Sequence, residues 1–170
     1  MNDGQSGTRD RVLERWRALV VASYPPDTAR LLLTEKDRFA NPVGHALSTG
    51  MEAIYDGLVA GVDAEDMARR LDGIVRVRAV QEFKPSEALS FVFLLKRAVR
   101  DVPGAPDRIP DLDARIDGAA LVAFDLYVAC REKVYEIRAN EVRRRTWKLL
   151  ERAGFADPGA SADPNGGIEK

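Results

Sequence analysis

Three helix-length apolar patterns follow one another between Phe39 and Asp101, and residues that begin helices stand before each of them. Asn41-Pro42 precedes the first pattern, Asp63 the second, and Pro85 opens the third. Asn and Asp accept hydrogen bonds from the unpaired amides of a first helical turn, and proline at the first position has no amide to leave unpaired. The apolar residues then recur at steps of three and four, which indicates helices rather than strands. This block predicts an all-α fold.

The apolar stripes of the block are the predicted core. The helix of the first pattern should run to about Ala60, with Gly61 as its C-cap. The third pattern should be apolar on most faces, so its helix should lie at the centre of the fold. The first two stripes consist of Val43, Leu47, Met51, Ile54, Tyr55 and Leu58, and of Met67, Leu71, Ile74 and Val75.

The rest of the chain is predicted to add one helix before the block, with a further short turn of helix at Asp27 to Leu33, and a long helix after the block. The helix before the block is expected over residues 8–22, after a flexible N-terminus at 1–7. Residues 111–153 lack proline and repeat apolar positions at steps of four and three, which predicts the long helix. With 170 residues and 45% hydrophobic content, we expect one domain over 8–153 and a disordered tail at 154–170.

Several landmarks of this block resemble the N-terminal domain of RsbRD-type RsbT co-antagonists, over about residues 10–145. The landmarks are the stretches 38–44, 52–58, 74–81 and 85–88. The resemblance implies a globin-like helical bundle that binds no haem and is regulatory rather than catalytic. In RsbR-type proteins a following STAS domain passes the signal to a kinase within the stressosome. This chain ends before such a domain could fit, so we expect a stand-alone sensory module.

The overall composition excludes several classes of function. The 26 basic and 27 acidic residues leave a formal net charge of -1, which favours neither nucleic acid nor an anionic membrane as partner. One cysteine cannot form an intramolecular disulfide, and one histidine with one cysteine cannot supply a zinc site. No apolar run has the length of a signal peptide or a membrane span. We therefore expect a cytoplasmic protein with no metal and no membrane insertion.

His45 is the one histidine through which a general-base or haem-ligand hypothesis could pass. A catalytic constellation needs a partner group that this chain does not offer, so we expect no enzyme activity. The proximal histidine of a conventional globin lies late in the helical order, whereas His45 lies early. The resemblance and this position both argue against haem, and no cofactor is expected.

A small-ligand or tetrapyrrole-binding carrier or sensor of globin-like form is the alternative function. Its pocket would lie among apolar faces of the central helices. The residues proposed to line it are His45, Met51, Ile54, Leu71, Phe91 and Phe93. The resemblance also implies an association with sulfate-reducing bacteria, in which free-standing members of this family occur. A link to sulfur or redox metabolism therefore belongs to this alternative.

Four arginines of one predicted helix, Arg69, Arg70, Arg76 and Arg78, form either a solvated face or an anion site. Acidic neighbours such as Asp72 favour the solvated face.

The long helix carries two apolar faces, one of which could pack on the domain and the other on a partner. One face holds Ile116, Ala120, Ala123, Tyr127, Cys130, Val134 and Ile137; the other holds Leu121, Phe124, Val128 and Tyr135. The candidate partner-interface residues are Tyr127, Cys130, Val134, Ile137, Arg143, Arg144 and Arg145. The leading hypothesis is a sensory or regulatory module of the RsbR and stressosome type that binds a protein partner and forms a homodimer through the long helix. Burial of both faces within its own domain is the other possibility.

Overall fold

A computed structural model describes residues 3–34, 42–81, 83–104 and 111–155, and over these ranges it contains six α-helices and no strand. The helices are α1 (Asp3–Val21), α2 (Pro26–Thr34), α3 (Pro42–Ala60), α4 (Ala64–Val80), α5 (Pro85–Asp101) and α6 (Leu112–Arg152). The predicted all-α class and the predicted long C-terminal helix are both confirmed.

Local hydrogen bonds set the helix boundaries in the middle of the chain. The carboxylate of Asp63 accepts a hydrogen bond from the backbone N–H of Asp66 at 2.8 Å, where α4 begins. The backbone N–H of Lys84 donates to the carboxylate of Glu87 at 3.2 Å, where α5 begins. After α3, Gly61 adopts a φ of 69°, a conformation in which a side chain would be strained. These contacts satisfy backbone groups that helix ends leave unpaired, and they confirm the caps predicted at Asp63 and Gly61. The predicted cap at Asn41 lies outside the described residues.

The core lies where α1, α3, α4, α5 and the first part of α6 pack together. Helix α1 packs against α3 and α5, and α4 packs against both α3 and α5. Trp16 of α1 is fully buried, and its indole Nε1 donates to the backbone carbonyl of Phe91 in α5 at 2.7 Å. Helices α3 and α4 approach closely at Gly50, where an added Cβ would lie 2.8 Å from Ile74 Cδ1. The absence of a side chain at Gly50 therefore permits this spacing.

Two arginines of α6 bind the C-terminal ends of other helices. Nη1 of Arg115 donates to the carbonyl of Leu58 in α3 at 2.8 Å. Nη1 of Arg131 donates to the carbonyl of Ala79 in α4 at 3.1 Å. Carbonyls in the last turn of a helix have no partner within the helix, and a cation there also complements the helix dipole. These contacts fix the first half of α6 on α3 and α4.

The chain groups into two compact units, Met1–Arg131 and Glu132–Lys170. The first contains α1 to α5 and residues 112–131 of α6. The second contains residues 132–152 of α6, and every side chain from residue 135 to 155 in it is exposed. The single domain expected over residues 8–153 stays a prediction.

The two chain ends differ in detail from the sequence-based expectation. Helix α1 begins at Asp3, before the predicted start at residue 8, and the flexibility of residues 1–7 stays a prediction. Extending a formed helix fixes only one further residue for each new hydrogen bond, so helices extend past their packed part. At the other end, α6 stops at Arg152 and Gly154 adopts a φ of 75°. Residues 156–170 of the predicted tail lie outside the described residues.

Candidate functional site

An apolar groove between α5 and α6, hereafter the α5–α6 groove, exposes large apolar side chains of the first unit. It has a volume of about 800 Å³. Its lining residues are Pro85, Ser86, Leu89, Ser90, Phe93, Leu94, Asp117, Ala120, Leu121 and Phe124. Three of them are large apolar side chains that stay in contact with water: Leu121 is 70% exposed, and Phe93 and Phe124 are each 50% exposed.

The position of Phe93 corrects the expectation that α5 is apolar and buried on most faces. The buried residues of α5 fall on one side of the helix, at steps of three and four: Ala88, Leu89, Phe91, Val92, Leu95, Ala98 and Val99. Phe93 lies outside this buried face and lines the α5–α6 groove, because α5 packs against α1 and α4 through the buried face. A continuous apolar run could not reveal which of its members would remain exposed.

Two ion pairs join the walls of the α5–α6 groove at one end. Lys96 Nζ lies 2.8 Å from a carboxylate oxygen of Asp117, and Arg100 Nη2 lies 3.0 Å from one of Asp113. The later residue of α5, Arg100, pairs with the earlier residue of α6, Asp113, so the two helices run antiparallel. The α5 wall is therefore basic and the α6 wall acidic.

Arg78 is fully buried, and no other charged residue in the described part of the chain is. This corrects the reading of Arg78 as part of a solvated arginine face, although Arg76 and Arg69 do pair with Asp72 and Glu65 at the surface. Burial lowers the pKa of the Arg78 guanidinium from its ordinary value. The side chain remains a cation at neutral pH, because arginine titrates so far above it.

Neutral groups surround the buried guanidinium of Arg78. It donates from Nε to the carbonyl of Ala88 at 2.7 Å, from Nη1 to the hydroxyl of Tyr24 at 2.8 Å and from Nη2 to the carbonyl of Glu87 at 3.0 Å. Its Cζ lies 4.8 Å from the ring centroid of Phe83. Burial raises the pKa of the Tyr24 hydroxyl, while the charge of Arg78 acts in the opposite direction. This arrangement supplies donors and aromatic faces that hold three chain segments together, and it offers no proton acceptor poised for catalysis.

The predicted ligand-pocket residues lie in different surroundings. Met51, Ile54, Leu71 and Phe91 are buried in the core, at most 1% exposed, whereas Phe93 lines the α5–α6 groove. His45 lies in the first turn of α3 and is exposed.

The predicted interface residues lie at different depths along α6. Tyr127 is buried, Cys130 and Val134 are half-buried, and Ile137 is exposed. Arg143, Arg144 and Arg145 are exposed in the second unit. The other apolar face of α6, that of Leu121, Phe124, Val128 and Tyr135, is exposed throughout. Within residues 112–131, the second of the two predicted faces is thus the exposed one.

Other classes of site are not visible in the described part of the chain. Its His, Cys, Asp and Glu side chains form no group of three that could hold a metal ion. None of its helices combines the length and the apolar character needed to cross a bilayer.

A family model described as the RsbT co-antagonist protein rsbRD N-terminal domain matches residues 10–142. The chain belongs to this family. The match includes α3 to α5 and the part of α6 that lines the α5–α6 groove. An uncharacterized protein of Archaeoglobus fulgidus is 27% identical over 137 residues, which cover 78% of this chain and 83% of the relative. No solved structure matches the chain significantly. Membership in the rsbRD N-terminal domain family supports a regulatory type of module.

Proposed function

We propose that this rsbRD N-terminal domain is a non-catalytic cytoplasmic regulatory module that acts through protein contacts and forms a homodimer through its α5–α6 groove. The exposed cluster of Phe93, Leu121 and Phe124 carries the proposal. Large apolar side chains that form a continuous exposed patch favour a binding surface, since covering them removes apolar area from water. The family description, which names a co-antagonist of RsbT, supports a regulatory role of the stressosome type.

The charges along the α5–α6 groove favour a second copy of the chain as the occupant. Lys96, Arg97 and Arg100 follow the α5 wall, and Asp113, Asp117 and Asp125 follow the α6 wall. A two-fold axis parallel to the groove places α5 of one copy over α6 of the other at the same height. Basic residues then face acidic residues twice, so the pairs that Lys96 and Arg100 make within one chain would be shared across an isologous interface, and the apolar cluster would supply the main attraction.

The small-ligand alternative has weaker support. Four of its six predicted pocket residues are packed in the core, and exposed His45 is not among the residues that line the α5–α6 groove. The groove itself has room for an apolar small molecule. A co-purifying compound would therefore compete with the second copy for the same surface.

The oligomeric mass of the full chain tests the proposal. Sedimentation equilibrium of the wild type should give twice the chain mass of 18.8 kDa. A Leu121→Gln/Phe124→Gln variant should weaken the dimer at least about a hundredfold, because four apolar side chains lose their burial across the interface. It should therefore sediment as a monomer at micromolar concentration.

A Val59→Gln/Val80→Gln variant is the matched control, because both valines are exposed on α3 and α4 away from the groove. It should remain dimeric. A wild type that sediments at 18.8 kDa, or a groove variant that stays dimeric, would refute dimerisation through this surface. A monomer whose groove variant loses a co-purified chromophore would support the carrier function instead.

A further inference from the structure

The second unit contains a helix whose described side chains are almost all exposed. Every side chain from residue 135 to 155 is exposed, among them Val142, Leu149 and Leu150. Helical segments of this length are marginal in water unless an amphipathic face packs against something. Residues 132–152, hereafter the C-terminal segment, therefore present a face suited to a partner.

The apolar residues of the C-terminal segment form a narrow seam. Tyr135, Val142 and Leu149 are seven residues apart, with Ala139 and Thr146 between them. Residues seven apart lie within about 20° of one another around a helix, so these side chains share one line. Small residues along such a line permit close approach of a second helix.

A row of arginines runs beside the seam. Arg138, Arg145 and Arg152 also recur every seven residues, each three positions after a seam residue and about 60° to one side of it. From residue 138 to 152 the segment contains six basic and two acidic residues. Arg145 already pairs with Glu141 one turn earlier, which leaves the row with a large excess of positive charge.

This charge pattern disfavours pairing of the segment with itself. Antiparallel pairing would place the arginine row against its own copy, and parallel pairing would place Arg138 near Arg143 of the second chain. Either arrangement brings like charges together. A helix with Glu or Asp beside its own apolar seam would instead meet each arginine with a carboxylate.

The shape of the face favours a helix over a lipid surface. A helix that lies in a membrane interface presents a broad, bulky apolar side. Here Trp147 lies about 140° around the helix from Val142, and Ala139 and Thr146 occupy the seam. The seam is therefore narrow, as in two-stranded helix pairing.

We propose that the C-terminal segment binds an acidic amphipathic helix of another protein in a coiled-coil-like pair. Tyr135, Val142 and Leu149 provide the apolar seam, and Arg138, Arg145 and Arg152 select acidic flanks. The inference shares with the proposed function only the requirement for a protein partner. It uses none of the residues of the α5–α6 groove.

The probe is a synthetic helix of three heptads, with leucine at both core positions and glutamate at both flanking positions. The same helix with lysine at the flanks is its control. The full chain should bind the acidic helix saturably and fail to bind the basic one. Charge reversal by Arg138→Glu/Arg145→Glu should weaken binding of the acidic helix at least about tenfold and should create binding of the basic helix.

A Val142→Gln/Leu149→Gln variant should also lose the acidic helix, and an Arg69→Glu/Arg76→Glu variant, changed on α4, should retain it. Circular dichroism of each variant checks that α6 stays helical. Failure of the acidic helix to bind, or equal binding by wild type and both segment variants, would overturn the proposal. So would binding of phosphatidylserine vesicles or of duplex DNA more tightly than the acidic helix. The Leu121→Gln/Phe124→Gln variant should still bind the acidic helix, which separates failure of groove dimerisation from failure of this proposal.

Discussion

Arg78 of α4 donates from Nη1 to the hydroxyl of Tyr24 at 2.8 Å, although 54 residues separate the two in the chain. The same guanidinium donates to the carbonyls of Glu87 and Ala88 in the first turn of α5. One side chain thus connects α4 with the segment after α1 and with the start of α5. Because a buried cation is costly unless its donors are satisfied, the folded state depends on all three contacts.

Substitution of Arg78 should be much more disruptive than substitution of its neighbour Arg76. In Arg78→Lys, a single ammonium replaces a planar fork that reaches three oxygens and lies near the ring of Phe83. We expect a loss of about 2–4 kcal/mol in the free energy of unfolding, measured by urea denaturation. Arg76→Lys, at the exposed pair with Asp72, should change it by less than about 0.5 kcal/mol. Equal effects of the two substitutions would contradict the role assigned to Arg78.

Two glycine-to-alanine substitutions should change the stability of the protein in opposite directions. At Gly50 a new Cβ would lie 2.8 Å from both Cδ1 and Cγ1 of Ile74 in the core, so Gly50→Ala should destabilise the protein despite better helix propensity. At Gly73 nothing lies within 4 Å of the new Cβ. Gly73→Ala should therefore stabilise by about 0.5–1 kcal/mol through propensity alone. Thermal unfolding of both variants measures the difference in stability. A Gly50→Ala variant as stable as Gly73→Ala would show that α3 and α4 are less closely packed than the distances to Ile74 indicate.

The N-cap of α4 should depend on a side-chain acceptor at residue 63. Asp63→Ala removes the oxygen that binds the N–H of Asp66 and should lower the free energy of unfolding by about 1 kcal/mol. Asp63→Asn retains an oxygen acceptor and should lose much less. Urea denaturation of the two variants tests the role of the cap. An equal loss of stability in both variants would contradict it, because only Asp63→Ala removes the acceptor oxygen.

Asp66 should make stability depend on pH in the acid range. A hydrogen bond from Arg70 is the main cause that lowers the pKa of Asp66 below 3.8, and Arg69 adds a smaller effect in the same direction. A lowered pKa in the folded state means that the ionised carboxylate stabilises the fold above its ordinary pKa. That contribution is lost as the pH falls through 3.8 and below. Melting temperatures between about pH 6 and pH 3 should fall less for Asp66→Asn than for the wild type; parallel curves would argue against the Arg70 contact.

The helix boundaries could be predicted because each depends on a few neighbouring residues. Asp63 and Gly61 act within one turn of the helix end that they define. Hydrogen bonds to an adjacent backbone amide and the tolerance of glycine for positive φ are local properties. The two apolar faces of α6 could likewise be recognised by spacing alone.

The environment of individual residues could not be predicted in the same way. Arg78 looked equivalent to Arg76 in the sequence, yet α5 and Tyr24 cover only Arg78. Phe93 looked equivalent to Phe91, yet α1 and α4 bury only Phe91. Residues one or two positions apart on a helix lie on different faces, so the direction from which neighbours approach decides which of them is buried.

By itself, the sequence determined that the chain is all-α, where its central helices begin and end, and that α6 has two apolar faces, because these properties depend on short-range spacing and capping. Only the tertiary structure decided which of those faces remains exposed, that Phe93 joins Leu121 and Phe124 at one groove, and that Arg78 is buried. Those outcomes depend on contacts between helices far apart in the chain, and each helix can satisfy its own periodicity in several packings.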